Sequence, residues 1–236
     1  MKESNKEVST EYFIEMNRSR WGFSPGLHLI LRLVLTLLPI ATLETLWIYE
    51  ISFLIRFYFL TNFVATLWLI SHLFGSYIAL CDWLGRKPSF GILRFQHIMY
   101  EVTLMGSLMV TIVYWSILHQ GNMKLKAKRG IYIQWLAILH HIIPIFWGIV
   151  DIMISKYIFK YGDWIYMAYG GFGWTLNNLI QTKLFDRSPY VFLTWEDRNS
   201  IYAVLFLFIF IMIFYFAIWA LLSLTVRKDV QKQKVN

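Results

Sequence analysis

The chain has 236 residues, of which 58% are hydrophobic, 19% aromatic and only 15% charged. A soluble domain carries about 25% charged residues, so this composition, with a mean hydropathy of +0.52, excludes an ordinary soluble fold. It points to an all-α polytopic membrane protein with no separate soluble domain. The net charge of +8 does not indicate a nucleic-acid partner, because the basic residues cluster in short segments between apolar runs, where membrane proteins carry topology signals.

Residues 1–26 mix charges of both signs and hold no apolar core, so they read as a cytoplasmic N-terminal segment and not as a cleavable signal. A spanning helix needs about 20 predominantly apolar residues. Six segments qualify: 27–48, 53–81, 96–118, 131–155, 161–181 and 200–225. Residues 27–225 are therefore expected to form a bundle of six transmembrane helices, and 226–236 a cytoplasmic basic tail. Lys and Arg number 13 in the N-terminus, the 82–95 and 156–160 loops and the tail, against 7 in the 119–130 and 182–199 loops. That bias places both termini in the cytoplasm. Arg32 and Glu44 lie towards opposite ends of the first span and are expected to snorkel to its two surfaces. Cys81 is the single cysteine, so no intrachain disulfide forms; it reads as a buried thiol.

Ionisable groups at membrane depth are rare and mark functional sites by default. Span two carries Thr61 followed by Asn62, and span four carries His140 and His141. Entered from the outer side near residue 53, span two puts Thr61 roughly 12 Å deep at the usual rise. Span four, entered near residue 131, puts His141 roughly 15 Å deep by the same rise. A histidine can act as a general base, and a hydroxyl is activated by such a base. The plainer reading of each is structural: a threonine returning its hydrogen bond to its own helix, and a histidine bridging two helices. The adjacent histidines point about 100° apart on a helix, so only one faces a given site. Pro144 removes a donor from the turn before it. Asn177 and Asn178, near the outer end of span five, fall in the same leaflet and are candidates, with Asn62, for binding a substrate carbonyl; the alternative is helix packing. Glu101 and Asp151 lie in the inner halves of their spans, where each is expected to pair with an inner-face base such as Arg94 or Lys156.

The chain has no GxSxG elbow and no phosphate-binding glycine loop. It has no HxxxH or HxxH pair, so no metal site and no cofactor are expected. His97 is expected near the surface, which disfavours a haem held by His72 and His97.

Four segments are familiar. EVTLMGSLMVTIVYWSIL (101–118), with its VYW signature, resembles the third span of the androgen-induced gene and rolling stone families. YFLTNF (58–63) is similar to their second-span segment, LHHIIPIFWGIVD (139–151) to their fourth, and SPYVFLTWED (188–197) to the segment after the fifth. The similarity covers roughly residues 50–200, in matching order. In the androgen-induced branch the family hydrolyses lipid esters, notably fatty acid esters of hydroxy fatty acids, with a membrane threonine and histidine as the catalytic pair. The resemblance implies that Thr61 and His141 take those roles. Where that branch has His-Gly-Met-His this chain reads LAILHH, and the ten-residue spacing to Asp151 selects His141 over His140. The rolling stone branch is linked to cell fusion.

Two functions follow as expectations. The first is an intramembrane lipid ester hydrolase with Thr61 as nucleophile and His141 as base, working on a lipid substrate within the bilayer of the endoplasmic reticulum or plasma membrane. The second is a non-enzymatic integral subunit that binds membrane protein partners, suggested by the 11 tryptophans and the shortage of large soluble loops. The 182–199 segment mixes aromatics with charges and is expected to fold back as a lid, with Phe192 and Trp195 at the interface. The basic bias makes a topology prediction: reporter tags on the two termini should both read cytoplasmic, and tags on opposite sides would show an odd number of spans.

Overall fold

The computed structural model describes residues 2–47, 59–119, 131–186, 188 and 190–235. The described residues are 83% helical and contain no strand, as expected of an all-α chain. Three of the helices are long and apolar enough to cross a membrane: those within Leu60–Trp83, Phe90–Leu118 and Arg198–Leu224. Two further apolar stretches, Pro25–Ile40 and Ile138–Ile154, are shorter. The chain divides into two compact units, Met1–Lys156 and Tyr157–Asn236.

The first unit begins with a helix that the sequence reading did not anticipate, α1 (Lys2–Asn17). Phe13 and Met16, one turn apart, are buried, and Phe13 meets Phe90 and His97 edge-on at ring distances of 5.7 and 5.2 Å. The membrane-type helices of this unit are α2 (Pro25–Trp47), α3 (Leu60–Trp83), α4 (Phe90–Val113) and α5 (Ile131–Ile154). Ser24 precedes α2 and its hydroxyl accepts from the Leu27 N–H; Ser89 does the same for Ile92 at the start of α4. These are N-caps that satisfy first-turn donors. The α3–α4 connection turns on Gly85, at φ +66°, a left-handed conformation that favours glycine. Gly106 allows α3 and α4 to approach: a Cβ there would sit 2.8 Å from a methyl of Val64. Val64 is stiff at χ1 and gives way only with difficulty.

The chain between α1 and α2 docks on the end of α5. Arg20 N–H donates to Ile154 O at 2.9 Å, Lys156 N–H to Met16 O at 3.1 Å, and Trp21 Nε1 to Met153 O at 2.7 Å. Lys156 also pairs with Glu15.

The expectation that Arg32 snorkels is overturned. Its side chain is 1% exposed, and Nη1 lies 2.6 Å from Asp151 Oδ1, while Nη2 donates to Ser155 Oγ at 2.7 Å. Asp151 thus pairs with α2 and not with Arg94 or Lys156. A charge buried inside a packed bundle is out of reach of the membrane surface, and pairing with the opposite charge offsets the solvation it gives up there. Gly75 lies beside the pair: a Cβ there would meet the Arg32 guanidinium at an ordinary contact distance of 3.5 Å. His97 is likewise buried, not superficial, with Nε2 3.0 Å from Glu101 Oε1 one turn on. Cys81 is free and buried, as read from the sequence.

The second unit holds α6 (Trp164–Phe185), entered through a 3-10 turn at Tyr161–Asp163, and α7 (Arg198–Val235). The α7 helix continues through the basic tail past the boundary expected near residue 225. Tyr215 Oη donates to Lys160 O at 2.6 Å, and Phe159 packs on the Tyr215 ring.

The Arg32–Asp151 pair sets a stability prediction. Asp151→Ala strands a buried guanidinium and should cost about 3–5 kcal/mol, read as reduced resistance to denaturation in detergent or bicelles. Arg32→Met with Asp151→Leu removes both charges and should recover most of that loss; a double variant as unstable as the single one contradicts the assignment.

Candidate active site

The α3 helix begins at Leu60. Phe59 occupies the cap position in an extended conformation (φ −84°, ψ 130°). Its carbonyl accepts from both Asn62 and Phe63 N–H at 3.1 Å. Thr61 is therefore the second residue of its helix. The expected start at residue 53 falls at residues outside those described, so the depth of roughly 12 Å at the usual rise does not carry over. First-turn N–H groups have no acceptor in their own helix, which places a local positive end at Thr61.

His141 is the eleventh residue of α5. Its Nε2 lies 3.2 Å from Thr61 Oγ1, within hydrogen-bond distance, and both residues are half-buried. The two residues singled out from the sequence thus meet across α3 and α5, and it is His141, not His140, that makes the contact.

Two further residues hold His141, and the sequence reading gave neither a role. At the end of α4 the backbone widens into a π-turn, Tyr114–Leu118, closed by His119 N–H donating to Tyr114 O. Such turns insert one residue's worth of rotation and are frequent at functional sites. This one turns Tyr114 inward and leaves Trp115, Ser116 and Ile117 exposed. The Tyr114 ring lies flat on the His141 imidazole, with centroids 3.7 Å apart and planes 11° from parallel. Tyr114 is fully buried, and its hydroxyl has no hydrogen-bond partner among the described residues. One helical turn earlier, the Thr111 hydroxyl lies 2.7 Å from His141 O and 2.9 Å from Ser107 O. This is the stretch that Pro144 perturbs. Proline cannot return a hydrogen bond to residue 140, and Thr111 brings an extra donor to the next carbonyl. His119 packs edge-on to Tyr114 at 5.4 Å and tilted over Trp115 at 4.3 Å. The VYW run pointed to this region, but a π-turn leaves no readable sequence mark.

The remaining candidates are placed differently. Asn62 is buried, and as the neighbour of Thr61 it points about 100° away around the helix. Asn177 and Asn178 lie in the second unit, on α6. Asn177 Oδ1 accepts from Gln181 Nε2 at 2.9 Å. Asn178, fully buried, accepts from Trp195 Nε1 at 2.9 Å. Residues 190–197 fold back on α6, with Tyr190 edge-on to Trp174 and Lys183 Nζ donating to Trp195 O. Both amide oxygens are engaged within that unit.

Compared with protein-family models, with curated proteins and with solved structures, the chain matches none. The Thr61–His141 geometry is therefore read on its own chemistry.

The stacking makes a prediction independent of any reaction. Tyr114→Leu removes a parallel ring contact worth about 0.5–1.5 kcal/mol and uncovers one face of the imidazole. Carbethoxylation of His141 by diethyl pyrocarbonate, followed by mass spectrometry, should quicken severalfold. An unchanged rate would show that Tyr114 does not shield the ring.

Proposed function

We propose that this chain is an intramembrane lipid ester hydrolase in which Thr61 is the nucleophile and His141 the general base. The observation that carries the reading is the 3.2 Å approach of Thr61 Oγ1 to His141 Nε2 between two apolar helices. A threonine hydroxyl is a poor nucleophile until a base removes its proton, and a base within hydrogen-bond reach meets that requirement.

In this reading Nε2 is the unprotonated ring nitrogen. It takes the Thr61 proton as Oγ1 attacks the ester carbonyl. The tetrahedral intermediate collapses, the bond to the alcohol oxygen breaks, and the departing alcohol takes the proton from His141. A water molecule, deprotonated in turn by His141, attacks the acyl-threonine ester and releases the carboxylic acid with Thr61 restored. The Thr61 N–H, in the first turn of α3, is the natural donor to the developing oxyanion. Tyr114 and Thr111 hold the imidazole plane and backbone, a positioning task that needs no contact with substrate. Asn62, Asn177 and Asn178 stay as proposed substrate-binding amides.

The motif resemblance to the androgen-induced gene family supports a substrate of the class of fatty acid esters of hydroxy fatty acids. The same reading takes six spans, both termini in the cytoplasm, the 182–199 segment as a lid, and the endoplasmic reticulum or plasma membrane as the site of action.

A second reading, an integral subunit of a larger membrane assembly, draws on α7. Its apolar stretch Arg198–Leu224 is mostly exposed, which leaves a long face for lipid or a partner helix.

The test is covalent labelling of the full-length protein by an activated phosphonate ester, with the site mapped by mass spectrometry. Label should appear on Thr61 and vanish in Thr61→Ala. His141→Ala should lower both labelling and ester turnover by about 10²–10⁴-fold while the protein still inserts and folds. Absence of label on folded wild-type protein, or label that survives Thr61→Ala, sinks the hydrolase reading and leaves the subunit reading in front.

A further inference from the structure

Away from Thr61, the interior of the first unit carries polar residues at helical spacing where apolar ones are expected. On α2 the stripe is His28, Arg32 and Thr36, at intervals of four, and all three are buried. The stripe is met by His72 and Ser76 on α3, also four apart, by Asp151 on α5 and by Ser155 just past its end. Thr36 Oγ1 lies 2.9 Å from Ser76 Oγ, and Arg32 joins Asp151 and Ser155. Thr36 Oγ1 also lies 3.4 Å from His72 O, which joins His72 to the same cluster. Three members keep buried polar atoms without a partner among the described residues: His28 Nε2, both ring nitrogens of His72, and Asp151 Oδ2. Buried polar atoms are almost always satisfied by protein or by ordered water.

The kind of partner follows from the mixture. A neutral imidazole has one N–H donor and one bare nitrogen acceptor, so His72 alone asks for both kinds of partner. The free oxygen of Asp151 is an acceptor and would repel an anion. The Arg32 guanidinium beside it would repel a metal cation. Water, which donates and accepts, is the one small partner that suits every member of the set. A way in exists at one end. His28 also lines a surface cleft together with Asn17, Arg18, Ile78, Asp82 and Arg86, so the stripe begins beneath that cleft and runs inward along α2 for about 12 Å at the helical rise.

We propose that α2, α3 and α5 enclose a water-filled inlet that opens at the His28 cleft, passes the Arg32–Asp151 pair and ends at His72. Intramembrane chains of Asp, Glu and His residues commonly mark water and proton pathways, and this one gives an otherwise dry bundle a hydrated interior. It does not depend on the Thr61–His141 reading.

The test is hydroxyl-radical footprinting of the full-length protein in lipid nanodiscs in heavy-oxygen water, with residue-resolved mass spectrometry. Radicals generated from bound water oxidise the side chains beside it. Met105 on α4 is as inaccessible as His72, so it serves as the reference, although methionine is intrinsically the more reactive. His72 should be oxidised about tenfold faster than Met105 if ordered water lies against it. His28→Phe, which plugs the opening, should slow oxidation of His72 about tenfold in a site supplied through that cleft. A His72 as inert as Met105 overturns the inlet. Rapid oxidation of His72 that His28→Phe leaves unchanged overturns the proposed route. The comparison of His72 with Met105 uses the unsubstituted chain, so it decides the proposal whether or not His28→Phe folds.

Discussion

A buried arginine must find a counter-charge, and in the first unit everything near it is arranged around that need. Arg32 on α2 and Asp151 on α5 are each 1% exposed and 2.6 Å apart. Neither charge is tolerable there without the other. The pair therefore fixes the rotation and height of α5 against α2. Ser155, one turn on, takes a second guanidinium donor and makes the fit directional. Gly75 on α3 lies against the guanidinium.

The consequence reaches the candidate site along α5. His141 precedes Asp151 by ten residues, about 15 Å of helix, and faces roughly 80° away around the axis. Locking Asp151 to α2 thus settles where His141 arrives, and it arrives beside Thr61 at the start of α3. Local geometry then refines that placement. The π-turn at Tyr114 rolls an aromatic face onto the imidazole, and Thr111 holds its backbone carbonyl. The histidine itself is held by stacking on Tyr114 and by hydrogen bonds from Thr111 and with Thr61, which is the kind of support a precise site requires.

The second unit solves a different problem. Its connection between α6 and α7 contains aromatic residues with polar tips, and these return their hydrogen bonds to α6. Trp195 adopts φ +59°, an unusual conformation for a bulky residue. Its indole N–H then reaches Asn178, while its carbonyl accepts from Lys183. Asn178 thereby accepts through its oxygen inside its own unit, and Asn177 does the same from Gln181.

Much of this protein is written in its composition. Long apolar runs with few charges can only be helices when no water is present to satisfy the backbone, and five of the six expected segments overlap described helices within a few residues at most ends. The exceptions are instructive. The span expected from residue 53 is described from Leu60, because hydropathy does not mark the cap at Phe59. Helix α1 was missed because its mixed charges masked the one-turn spacing of Phe13 and Met16. Thr61 and His141 were legible as polar atoms in apolar runs, since such groups are costly and rarely idle. Their contact was not legible, because a sequence gives spacing along each helix but not which helices pack or at what rotation. Arg32 shows the same limit from the other side. By position it belonged at the membrane surface, and only the packing of α2 against α5, which supplies a carboxylate at 2.6 Å, turned a snorkelling residue into the buried centre of the fold.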